Sequence, residues 1–118
     1  MAITQAIIAS ATGSSRMPGL YRRTYGGAFN DDVNWFANNP GNLVEGHVQQ
    51  GIALEGSDTG DYFSIEWIGY FRPLVSGLYK FYTYSDDGSY LWIGNDALTG
   101  FTTGNSTVNN GGAHGGTL

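Results

Sequence analysis

Cysteine is absent from all 118 residues. That excludes a disulfide framework, a thiolate nucleophile and any cysteine-held zinc or iron–sulfur centre. Charge is scarce: 13% of residues carry one, with ten carboxylates against five Lys and Arg, for a net charge of -5. So few cations cannot build the basic patch that nucleic acid or an anionic membrane surface needs. Low charge also separates the chain from charged, disordered sequences. No apolar run approaches the ~20 residues of a membrane span, so no membrane insertion is expected. The start, Met1 to Ser10, has no basic stretch and only a short apolar one, so no signal peptide is visible.

What is present reads as one small β-rich domain. Hydrophobic residues make up 41% and aromatics 14%, enough for a core. Nineteen glycines stand where average usage supplies about 8. They lie among Asn, Asp, Ser and Thr, the composition of turns. Many turns and aromatics with little Lys or Glu favour an all-β fold.

Residues 1–18 form an N-terminal arm or first strand, and residues 19–118 the domain proper. Gly19 to Tyr25 reads as a strand. The polar run Asn30-Asp31-Asp32-Val33-Asn34 leads to Trp35-Phe36, a short helical turn capped by Asp32 or Asn34. The second half is more regular. Asp61 to Phe71 alternates strictly, with Phe63, Ile65, Trp67, Gly69 and Phe71 on one face. Pro73 ends it, and Ser76-Gly77 turns the chain into Leu78 to Tyr84, a second aromatic strand. Ser85-Asp86-Asp87-Gly88 is the next turn, followed by a third strand, Ser89 to Gly94. The spacing predicts an antiparallel meander in a β-sandwich. Residues 104–118 are rich in Gly and Asn and offer almost nothing for a core strand.

Three groups of residues bear on chemistry. Asp86 and Asp87 offer hard oxygen ligands of the kind Ca²⁺ gathers in sets of about 6–8. Asn95, Asp96, Asn105, Asn109 and Asn110 follow in sequence as further oxygen donors. The same Asp-Asp-Gly is also good turn chemistry, with Gly88 supplying a left-handed residue. Asn30 to Asn34 is oxygen-rich too, but lacks EF-hand spacing and reads as a solvated loop. His47 and His114 make no zinc motif. There is no nucleophile elbow, phosphate loop or dinucleotide fingerprint, so an enzyme is not expected.

The block Trp67-Ile68-Gly69-Tyr70-Phe71, Pro73, Ser76-Gly77-Leu78-Tyr79, Phe81, Ser85-Asp86-Asp87-Gly88 and Leu91-Trp92-Ile93-Gly94 resembles the anthrax protective-antigen-type domain. It looks closest to the branch of GLEYA and flocculin-like adhesins. The resemblance spans roughly residues 19–100 and implies a lectin-like jelly-roll β-sandwich. It also implies that Asp86 and Asp87, joined by a cis peptide, hold Ca²⁺, which in turn ligates sugar hydroxyls. Tyr84 and Tyr90 flank that turn as ligand-binding candidates. The chain departs from the pattern in having no cysteine and in lacking closing strands after Phe101.

Two functions are expected from this. One is a non-catalytic, calcium-dependent carbohydrate-binding module that acts extracellularly, at a cell surface or on a virion. The other is a structural or attachment component of a multi-subunit assembly, such as a phage virion, in which other subunits complete the sheet.

Overall fold

The computed structural model describes residues 2–10, 18–56, 58 and 60–118. Residues 11–17 of the expected lead-in therefore lie outside the described residues. Six strands form one sheet: β1 (Ala2–Ser10), β2 (Leu20–Gly26), β3 (Leu43–Gln49), β4 (Phe63–Phe71), β5 (Ser89–Ile93) and β6 (Val108–Asn110). Their order across the sheet is β3-β2-β4-β1-β5-β6. Among the described residues, helix is confined to α1 (Trp35–Asn38) and short 3-10 turns. The all-β expectation is met, and no described helix is long and apolar enough to cross a membrane.

Strand alternation places two cores on opposite faces of the sheet. Ile65, Trp67 and Leu91 are buried on one face, with Leu20, Phe63, Phe71, Phe81 and Ile93 packed around them. On the other, Tyr90 and Trp92 of β5 join Tyr25, Phe29 and Phe36. Tyr25 and Phe36 meet edge-on at 5.1 Å between centroids, while Tyr90 and Trp92 stack at 5.7 Å, both geometries that ring quadrupoles favour. The Phe63, Ile65 and Trp67 face is thus buried as the alternation requires.

The expected meander is corrected in one respect. Residues 78–84 are not a strand, and β4 and β5 are not neighbours. β1 lies between them, parallel to both. The remaining pairs, β2 with β3, β2 with β4 and β5 with β6, are antiparallel. Two strands parallel to a common neighbour run the same way, so the chain after β4 must travel back the length of the sheet before β5 begins. A tight hairpin cannot do this, whereas a crossover of a dozen or more residues can. Residues 72–88 are that crossover. They carry Phe81 onto the Trp67 core and set Tyr79 edge-on to Phe71. Leu74 and Leu78 stay fully exposed.

Two further segments differ from the sequence reading. The helical turn α1 starts at Asn34 without a side-chain cap; Asp32 instead accepts the Asn34 N–H at 2.9 Å, just ahead of it. The Gly/Asn-rich tail does contribute to the sheet. β6 pairs with β5, and Thr117 exchanges backbone hydrogen bonds with Ser85 at 3.0 and 3.1 Å.

Candidate functional site

Three segments meet at the start of β5. The first is the turn Ser85 to Gly88, whose Asp86–Asp87 peptide bond is cis. Its base is pinned from several sides. The Ser85 and Ser89 hydroxyls lie 2.6 Å apart, and Asn110 donates to the Ser85 hydroxyl at 3.2 Å and to the Thr117 carbonyl at 3.0 Å. Asp86 is exposed, Asp87 half-buried and Gly88 buried.

The second segment is the tail loop, residues 109–117. The His114 backbone N–H donates to Asp87 Oδ1 at 2.8 Å, fixing that carboxylate. The His114 ring nitrogens face the carbonyls of Gly115 and Asn110 at 2.9 and 3.2 Å. These carbonyls favour the imidazolium, Gly115 most, and hold the His114 pKa above the usual imidazole value. Tyr84, exposed, sets its hydroxyl against Gly116.

The third segment is the loop after β2. Ser64 of β4 accepts the Phe29 N–H at 3.1 Å and donates to the Gly27 carbonyl at 2.7 Å. With the Phe29 ring fully buried, the next two residues are carried to the turn. Asn30 and Asp31 have φ of 47° and 61°, the left-handed region that Asn and Asp tolerate better than most side chains. Asp31 Oδ2 accepts the Gly112 N–H at 2.9 Å. Gly88 is not left-handed, and a Cβ on it would stand 2.6 Å from Asp31 Oδ1, so a side chain there would push the Asp31 carboxylate aside.

Asn30, Asp31, Asp87, Gly88, Gly112 and Ala113 line an open cavity of about 130 Å³. Two carboxylates, a side-chain amide and exposed turn backbone are hard donors, the chemistry a Ca²⁺ ion selects. The residues present fit such an ion, and Asp86 precedes Asp87 in the same turn.

Of the residues named from sequence, the structure brings together Asp86, Asp87 and Asn110. Asn109 is engaged nearby, accepting the Gly111 N–H at 3.1 Å and donating to the Thr103 carbonyl at 3.3 Å. Asn95 is not part of the group. It follows the end of β5 whereas Asp87 precedes its start, and five residues of strand span about 16 Å. Tyr90 is buried rather than open to a ligand. Its hydroxyl bonds to Asp31, and burial followed by that bond pushes its pKa up to about 12. Asp31 was missed: its oxygen-rich run was legible, but its approach to Asp87 depends on folding across more than fifty residues of chain.

A separate polar group lies at the far side of the sheet. The ligand atoms of Glu45, His47 and Glu55 come within 4.8 Å of one another. The Arg22 guanidinium stands 3.5 and 3.6 Å from the two carboxylates, so this group already holds a cation of its own.

The fold and its site define a small β-rich module in which Asp87 of the turn and Asp31 of the loop after β2 line one open cavity. Residues 63–117 match the family model of the GLEYA domain. That stretch, just under half of the chain, is similar to the GLEYA family, the adhesin branch to which its motifs pointed. No curated protein and no solved structure matches the chain.

Proposed function

We propose that this domain binds carbohydrate through a Ca²⁺ ion held at Asp86 and Asp87, and that it works at a cell surface or outside the cell. The carrying observation is the meeting of the Asp86–Asp87 turn with Asp31, Asn30 and the glycine loop around one open, oxygen-lined cavity. The GLEYA match over the same turn supports the adhesin reading. A Ca²⁺ ion there supplies open coordination positions for vicinal sugar hydroxyls. The exposed ring of Tyr84 offers an amphipathic face beside them for the sugar's carbon skeleton. Glycan-array binding in calcium and in chelator tests this reading, with Asp86→Asn and Asp87→Asn as controls. Calcium-dependent signals lost in both variants support it. Binding that survives chelator and both substitutions defeats it.

A second reading, a subunit of a larger assembly such as a virion, draws on a different observation. Leu74, Val75 and Leu78 project from the crossover into solvent, with most of each side chain exposed. A run of this kind suits a subunit contact. Sedimentation at micromolar concentration discriminates, because a monomer at all concentrations removes that support.

A further inference from the structure

Asp31 belongs to no motif, yet it touches all three segments of the cavity. One oxygen accepts the Gly112 N–H at 2.9 Å. The other packs where a Gly88 side chain would otherwise be. The carboxylate also takes the hydroxyl of Tyr90, a buried residue of the aromatic core. The Gly112 contact joins positions 81 residues apart, so it fixes relative placement that no local turn preference can fix. Gly111 adds to the constraint, since a Cβ there would fall inside the Tyr90 hydroxyl.

We propose that Asp31 is a positioning residue. Through its hydrogen bonds it sets the distance between the glycine loop 109–114 and the Asp86–Asp87 turn, and so tunes the affinity of that turn for a divalent cation. The cation part rests on the calcium reading above; the loop-holding part does not. Gly112 is exposed, so without Asp31 its N–H turns to water at little cost. What is lost is the tether: Asp31 no longer ties the glycine loop to the segment after β2, and the loop is free to shift.

The backbone conformation dictates the variants. With φ at 61°, alanine strains the chain, whereas glycine removes the side chain without that cost. Asparagine tolerates the conformation and keeps an acceptor for Gly112. Its amide then donates to the Tyr90 oxygen, which turns its own proton away. Positioning therefore predicts rescue by Asp31→Asn and loss in Asp31→Gly.

The experiment measures calcium affinity by titration calorimetry and Gly112 amide exchange by NMR, on the full chain. Thermal melts of each variant establish that it is folded. Loss of a group that orients metal ligands typically costs about 10–100-fold in affinity. Asp31→Gly should weaken calcium at least tenfold and speed Gly112 exchange, while Asp31→Asn stays within about threefold on both. Equal affinity in wild type and Asp31→Gly overturns the proposal and leaves calcium binding intact. Equal loss in Gly and Asn variants also overturns it, because Asp31 would then act by its charge as a ligand. A wild type that takes up no calcium while Gly112 exchange still separates the variants defeats the calcium reading alone and supports the loop-holding role.

Discussion

The guanidinium of Arg22 lies 5.9 Å from the centre of the Trp67 ring, with no part of either residue appreciably exposed. Register explains the pairing. Arg22 of β2 stands opposite Trp67 of β4 on one side and His47 of β3 on the other. A cation there needs counter-charge, and Asp58, itself buried, provides the closest carboxylate. Arg22→Met keeps most of the packing on Trp67 but leaves the buried Asp58 charge with the Glu55 backbone N–H in place of a cation. Breaking one partner of such a pair costs about 3–5 kcal/mol. Urea unfolding should show a loss of that size. Adding Asp58→Asn should recover part of it, since the amide carries no charge to strand.

Gly111 and Tyr90 form a second testable pair. The side chain that alanine brings to position 111 overlaps the Tyr90 hydroxyl, and overpacking of this kind costs about 1–3 kcal/mol. Gly111→Ala should be destabilised by that amount, and Tyr90→Phe, which removes the obstructing oxygen, should lessen the penalty in the double variant. A strictly additive double-mutant cycle would mean the two residues do not meet.

Glu66 gives a pH signature. Burial raises its pKa, and ion pairing with Arg23 at 2.7 Å only partly opposes the rise. A carboxyl with a folded pKa above its unfolded one binds more protons in the native state. Its contribution is therefore fully present below the unfolded glutamate pKa and lost as pH rises through the raised folded value. Over that window Glu66→Gln should flatten the fall in melting temperature relative to wild type. Parallel profiles would place the titration elsewhere.

How much of this was legible in sequence varied with the range of the contacts. The period-two face of Phe63, Ile65 and Trp67 was readable because strand alternation is local, and so was the Asp86-Asp87 turn. The placement of β1 between β4 and β5 was not, since parallel pairing leaves no turn between the partners to announce it. Asp31 escaped for a related reason. An Asn-Asp-Asp run is equally good as a solvated loop, and only the buried Phe29 and Ser64 clamp decides where it points.

The crossover separates the observed topology from the meander that the sequence favours. In a strand paired within this two-cored sheet, Leu78 and Phe81 would face opposite sides and both would be buried. In the structure Phe81 packs on the Trp67 core while Leu78 is bare to solvent. Phe81→Ala should therefore cost about 2–3 kcal/mol, less than a fully buried phenylalanine because Phe81 is half-buried. Leu78→Ser should stay within about 0.5 kcal/mol of wild type, as exposed substitutions do. Urea unfolding of the two single variants reads both numbers. A penalty at Leu78 matching that at Phe81 would mean that Leu78 is buried, as a paired strand requires and the crossover does not.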